Sequence, residues 1–389
     1  MQKIKHLYIY ILLFICIYIE FGYAVVVANQ LSGTFRSLIL LLAVIPLLFF
    51  KSRHTNASII LLIYTAIIIS LNLVRDNAIG DYFLLFLPIV VGFLIATRIP
   101  IDLCISSFVK LIYYLTIYSL LLYSICVLVP SVATILPYLG NVHNSSATIH
   151  NGLFTVVISG ATFARNYGIT WEPGAFAVLL CIATYCNLNI SKRPNKKYLL
   201  VFSLGIITTF STMGYIVLMC IFISRLNFRK ENRAIFAILI IIAFVALQIP
   251  FMRELVFGKL AGIGNTTTEL SETTEARMNA IIYPGLAFIK NPIGGVGYEA
   301  FKTINTTLCN SVATNTIINW FALFGVLLGA PFLFNYLKTT YSLFTNKSSI
   351  FGVILIAIGA ISLVSTESLL RISLMYAIIF MGTINLINK

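Results

Sequence analysis

Long apolar runs separated by short polar breaks occupy most of the 389-residue chain. About 20 consecutive apolar residues are needed to cross a bilayer core as a helix. Runs that meet this requirement or approach it predict membrane-crossing helices over 7–28, 31–50, 57–74, 82–97, 108–129, 173–190, 234–250, 316–337, 350–366 and 369–388. The stretch 198–224 is long for one span and short for two, with a small-polar break at Phe210-Ser211-Thr212-Met213-Gly214. Lys192, Arg193, Lys196 and Lys197 precede it, and Arg225, Arg229, Lys230 and Arg233 follow it. A single span would put one of these basic clusters outside, against the rule that basic loops stay cytoplasmic. A tight hairpin keeps both on one side and brings the expected total to about twelve spans.

Composition agrees with this pattern. Hydrophobic residues make up 59% of the chain and charged residues 10%, against about 45–50% and about 25% in soluble domains. An ordinary soluble protein is excluded, and the expectation is an all-α polytopic protein forming one integral membrane domain over 1–389. The net charge of +14 does not form a nucleic-acid stripe. With both termini cytoplasmic, 17 of the 26 basic residues fall in inner loops, so the excess reads as topology. The seven cysteines show no CxxC or His-interleaved spacing and give neither a disulfide framework nor a zinc site. The apolar run from Leu7 is long for a signal peptide and lacks a clear cleavage site, so it reads as an uncleaved first span.

Two long outer segments, about 130–172 and 251–315, remain between short connections, and long ordered loops usually carry function. In the first, Arg165, Trp171 and Glu172 precede Pro173-Gly174. Pro173 suits the first turn of a helix, which puts the Glu172 carboxylate at its positive end. Trp171 suits the membrane interface. Arg165 is close enough in sequence to share a site with Glu172; an ion pair serving structure alone is the plain alternative. In the second segment, Met278, Ile281 and Ile282 recur at helical spacing after Arg277, predicting an amphipathic helix on the membrane face. The run Asn291-Pro292-Ile293-Gly294-Gly295-Val296-Gly297-Tyr298 is either a phosphate-cradling backbone or simply a turn. Asn315 and Asn319 are four residues apart at a span end and would share a helix face. His143 and His150 are candidate bases, and Glu20 is costly in a span unless it lines a cavity.

In this order the segments resemble the O-antigen polymerase and O-antigen ligase superfamily of bacterial membrane glycosyltransferases, over about residues 163–330. The carriers are Arg165 with Glu172-Pro173-Gly174, the hairpin break at 210–214, Arg277 before Asn291-Pro292-Ile293-Gly294-Gly295-Val296-Gly297-Tyr298, and Thr314-Asn315 at the next span. Two departures matter. Ligases of this superfamily typically have a His where Thr314 stands, and many members have a Ser-Arg pair where this chain has Ser211-Thr212. The first favours polymerase over ligase; the second puts more weight on Arg165 and Arg277.

The resemblance implies a GT-C-like bundle in the bacterial inner membrane. It implies inverting, metal-independent transfer of a sugar chain from undecaprenyl diphosphate to another lipid-linked oligosaccharide repeat, building O-antigen or a related surface polysaccharide on the periplasmic side. Arg165, Arg277 and Glu172 would be catalytic; Trp171, Tyr298 and Asn315 would bind substrate. No cofactor or metal is implied; the partners are the bilayer, the lipid-linked donor and acceptor, and a chain-length regulator protein. The alternatives are an O-antigen ligase and a multi-pass transporter or flippase of lipid-linked oligosaccharide. Two long outer segments bearing Arg and Glu, with no internal repeat, count against a transporter. In a cysteine-free background, a cysteine at position 193 or 230 should resist a membrane-impermeant thiol reagent, and one at 267 should react. Labelling of only one of the two basic loops from outside would mean eleven spans and no hairpin.

Overall fold

The computed structural model describes residues 2–28, 31–53, 55–76, 79–141, 147–160, 164–189, 194–225, 269–309, 315–344 and 349–384, excepting the side chains of 2, 3, 24 and 269–277. The span expected at 234–250, His143 and Thr314 lie outside the described residues. Helices run α1 (Gln2–Phe21), α2 (Tyr23–Val26), α3 (Gly33–Val44, continued by a 3-10 turn Ile45–Phe49), α4 (Asn56–Asp76), α5 (Ile79–Arg98), α6 (Ile101–Leu128) and α7 (Pro130–Ile135). They continue as α8 (Pro173–Asn189), α9 (Lys196–Thr209), α10 (Thr212–Arg225), α11 (Glu269–Lys290), α12 (Tyr298–Leu308), α13 (Thr316–Leu343), α14 (Ile350–Val364) and α15 (Ser373–Met381).

The protein is a largely helical membrane protein. Among the described residues, five helices are long and apolar enough to cross a bilayer: α1, α4, α5, α6 and α13. In α4, Ile60, Ile63, Ile67, Leu71 and Val74 form an exposed stripe at helical spacing, while Ser58, Thr65 and Asn72 are buried. The buried polar groups bond within the helix, Thr65 to the Leu61 carbonyl and Asn72 to the Ile68 carbonyl. Large apolar side chains outside and small polar ones inside suit a helix solvated by lipid. The core forms where α15 packs along α5 and against α13, with Trp320, Phe332 and Tyr376 in edge-to-face contact.

The expected hairpin is present as two helices, α9 and α10, meeting at Phe210 and Ser211. Phe210 adopts the left-handed conformation (φ 49°) that turns the chain. At 14 residues each, these helices are about 21 Å long, less than the ~30 Å of a hydrocarbon core. The segment after α6 differs from an all-α expectation by a small antiparallel meander, β1 (Tyr138–Asn141), β2 (Thr148–Asn151) and β3 (Val156–Ser159). Four-residue strands are too short for alternation to reveal. The β2–β3 turn is held against the bundle, its Gly152 carbonyl accepting from the Tyr118 hydroxyl (2.7 Å) and Phe154 packing edge-on against Phe14. His150 is buried in this sheet, bonded to Thr148 and the Leu136 carbonyl, so it braces the sheet and is no exposed base.

Helix α13 is broken at Gly325 (φ 63°, ψ −163°). A break strands backbone groups that no water can satisfy within a membrane. The glycine-rich turn after α11 supplies the partners. Val296 and Gly297 N–H bond the Ala322 and Leu323 carbonyls (2.8 and 3.2 Å), while Val326 and Leu327 N–H bond the Pro292 and Ile293 carbonyls (2.8 and 3.3 Å). The approach is so close that a Cβ on Gly325 would lie 2.0 Å from the Ile293 oxygen. Gly325→Ala should therefore lose about 1–3 kcal/mol of stability, from strain alone. Its thermal midpoint in detergent should fall relative to Gly285→Ala, where an added Cβ meets nothing within 4 Å. Equal midpoints would show that the clasp does not constrain the fold.

Candidate functional site

The connections expected to share one side do converge at one end of the bundle. Arg165 and Asn166 bind the hairpin tip through groups that helix α9 leaves unpaired at its C-terminus. The Asn166 N–H bonds the Thr208 carbonyl (2.9 Å). Arg165 donates from Nε to the Thr209 carbonyl (2.9 Å) and from Nη2 to the Phe210 carbonyl (3.3 Å). A guanidinium at a helix C-terminus is favoured by charge as well as by geometry. The Asn166 side chain, 1% exposed, accepts from Ser119 Oγ (2.5 Å) and the Gly168 N–H (2.9 Å), and donates to Thr208 Oγ1 (3.0 Å).

From there the chain passes Tyr167 and reaches Trp171, stacked on Phe21 at 5.1 Å, and an isolated bridge pairs Thr170 with Gly22. Glu172 immediately precedes Pro173 and α8, as the Pro-first-turn reading expects. The ion pair that was the plain alternative does not form: among the described residues, none joins Arg165 to Glu172. Arg165 is instead a brace for the hairpin. Between them in sequence lies Tyr167. Burial pushes that phenol above its ordinary pKa, Arg165 opposes the rise, and Glu172 and Tyr23 add to it.

A second carboxylate enters from the connection between α14 and α15. A Cβ at Gly174 would lie 2.2 Å from Glu367 Oε1 and 3.4 Å from Glu172 Oε1, so both carboxylates border the first turn of α8. Glu367 is 5% exposed, and its carbonyl accepts from Thr316 Oγ1 (2.5 Å) at the start of α13. Asn315 is the N-cap of that helix: it is left-handed (φ 51°), and its Oδ1 accepts the Ile318 N–H (3.0 Å). It therefore positions the start of α13 at the mouth, and both Asn315 and Asn319 are buried there. Glu20 accepts from the N–H and hydroxyl of Ser373 at the start of α15.

Tyr298 lies in a neighbouring cluster. Asp76 Oδ2 accepts the Tyr298 N–H (2.8 Å) and the Tyr82 hydroxyl (2.6 Å), which caps α12 from another helix. Asp81 pairs with Lys302 (3.2 Å) and Arg371 (3.7 Å). The Arg371 guanidinium lies 5.5 Å from the Tyr298 ring centroid and bonds its hydroxyl. The glycine-rich run is the turn and not the phosphate cradle: the amides of Gly295 to Glu299 are spent on Asn291, Ala322, Leu323 and Asp76. Arg277 belongs to α11, and its side chain lies outside the described residues.

Tyr167, Glu367 and Arg371 were not legible as site residues from motif order. Scarcity was the available signal for two of them, since a charge between two apolar runs of a membrane protein marks function by default. Among the described residues, no three His, Cys, Asp or Glu side chains group as metal ligands. Comparison of the chain with protein-family models, curated proteins and solved structures finds no match. The class defined by fold and geometry is thus a helical membrane protein with a polar mouth. Arg165→Ala should lower stability by about 1.5–3 kcal/mol, the scale of a hydrogen bond to a charged group. Arg165→Lys should cost less, because an ammonium still reaches one carbonyl. A midpoint unchanged in Arg165→Ala would remove the bracing role.

Proposed function

We propose that the chain is a glycosyltransferase of the O-antigen polymerase type, acting at the periplasmic face of the bacterial inner membrane. In this reading it has about twelve spans in a GT-C-like arrangement, with both termini cytoplasmic. It joins undecaprenyl diphosphate-linked oligosaccharide repeats into O-antigen or a related surface polysaccharide. The reading is supported above all by one observation: the connection leading to Glu172-Pro173-Gly174 is tied to the hairpin tip by Arg165, which donates to the Thr209 and Phe210 carbonyls.

The chemistry required is a displacement. An acceptor hydroxyl oxygen attacks the anomeric carbon, the carbon–oxygen bond to the diphosphate breaks, and the diphosphate leaves with the electron pair. Arg165, with Arg277, would hold the departing charge; a guanidinium presents five donors in a planar fork, so two bonds to carbonyls do not exhaust it. Glu172 would take the hydroxyl proton. Trp171, Tyr298 and Asn315 then support the site through packing and capping.

Thr314 in place of the ligase His favours a polymerase, so reconstituted protein should lengthen lipid-linked repeats with no lipid A core present. Product that appears only when lipid A core is supplied would reverse the choice to ligase. Loss of one preorganised donor typically costs about 10²–10³ in rate. Arg165→Lys, compared at equal amounts of folded protein, should show that loss in single-turnover transfer. Near-normal long-chain product would leave Arg165 as a brace only.

A further inference from the structure

The segment that follows α6 carries no charge. Between Lys110 and Arg165 the chain has no Asp, Glu, Lys or Arg. At the soluble frequency of about 25%, residues 129–164 alone would carry about nine. The surface of this segment is apolar as well, with Ile135 81% exposed, Leu153 68% and Phe154 42%. A connection bathed in water would not be built this way.

The depth of the β2–β3 turn shows what meets that surface. The Gly152 carbonyl accepts from the Tyr118 hydroxyl (2.7 Å), and the Phe154 ring packs against Tyr118 and Phe14, at 6.1 and 5.3 Å between centroids. Tyr118 belongs to α6 and Phe14 to α1, both long and apolar enough to span a bilayer. About 20 residues fill a hydrocarbon core, and every stretch of that length within Ile101–Leu128 includes Tyr118. Phe14 lies about 10 Å in from the end of α1 at Phe21. The turn therefore reaches alongside the spans and does not sit above them.

A turn at that depth has no water to bond. It is met from within and from α6. The Gly152 N–H bonds the Thr155 carbonyl and the Phe154 N–H bonds the Gly152 carbonyl, both at 2.9 Å. Thr155, 3% exposed, donates to Ser119 Oγ (3.4 Å). Leu153 is left-handed (φ 66°), a conformation that glycine holds with less strain. The position nevertheless carries a large apolar side chain, and that side chain faces away from the protein.

We infer that the β2–β3 turn is a re-entrant element whose Leu153 and Phe154 side chains lie among the acyl chains of the bilayer. One side of the turn is held by α1 and α6, and the other is solvated by lipid. The element is joined to the mouth, because the Val156 N–H bonds the Gly168 carbonyl (2.9 Å) and Ser119 donates to Asn166 (2.5 Å). The inference does not rest on glycosyl transfer, and its test needs no turnover.

The test places the full, unaltered chain in phosphatidylcholine vesicles with an uncharged hydrocarbon diazirine dissolved in the acyl chains. After irradiation, residues 152–155 should be labelled as heavily as the exposed stripe of α4. They should exceed the exposed end of α12 around Thr307 by about tenfold, the partition ratio expected of one Leu-sized apolar contact. A nitroxide on Leu153→Cys should collide more with oxygen than with a water-soluble nickel chelate, and one on Thr307→Cys should show the reverse. Labelling of 152–155 no stronger than that of α12 would overturn the proposal, whether or not Leu153→Cys folds. Nickel collisions exceeding oxygen collisions at Leu153→Cys would overturn it by placing the tip in water. Protection of the tip from both the diazirine and the chelate would overturn it in favour of a covering protein.

Discussion

Backbone groups inside a bilayer have no water to bond, so a broken helix persists only if protein supplies the missing partners. At Gly325 this constraint is met by the turn 291–297, through bonds given in both directions across the break. Much of the described structure hangs on that clasp. It fixes where α11 ends, and Gly297 passes so close to Asp76 that a Cβ there would lie 2.4 Å from its Oδ2. Asp76 can then cap α12, and Tyr298 is delivered to Arg371. On the other side of the break, the first half of α13 carries Asn315, Thr316 and buried Trp320 to the mouth. The mouth and the break are therefore joined through α13.

The hairpin tip solves the same problem by other means. Helix α9 ends at this tip, and its terminal carbonyls need donors. Asn166 and Arg165 provide them from the neighbouring connection. A polar segment is thereby drawn down onto the bundle, and the mouth is recessed. The same Arg165 then has two readings that are not rivals: a guanidinium fixed by two carbonyls has lost its rotamer freedom, which is what a preorganised charge stabiliser requires.

How much of this was legible in the sequence follows from the reach of each signal. The break at 210–214 was readable because small polar residues interrupt an otherwise unbroken apolar run between basic clusters. The helix containing Met278, Ile281 and Ile282 was readable by periodicity, and these residues do form an exposed apolar face with Ala280 buried behind it. Periodicity says nothing about partners, however. That Arg165 would choose carbonyls over Glu172, or that the glycine run would spend its amides on α13, depends on tertiary approach. Asn315 shows the limit well: its spacing to Asn319 was readable, but nothing in the sequence showed that its left-handed backbone and side-chain oxygen would cap the helix.

The carboxylates reveal the electrostatic plan. Among those whose side chains are described, Glu20 bonds the first residue of α15 and Asp76 caps α12. Asp81, Asp102 and Glu299 sit in first turns of their own helices. Glu172 and Glu367 border the first turn of α8. Each of the seven thus has a helix N-terminus as counter-charge, a compensation that becomes stronger where water is excluded. Helix dipoles consequently do part of the work that cations do elsewhere, with Asp81 and Asp76 pairing to cations in addition. Arg165 mirrors the pattern at a helix C-terminus. Only 12 acids stand against 26 basic residues in the chain, and the acids whose side chains are described already lie against helix N-termini, so the charge excess is carried by the cations.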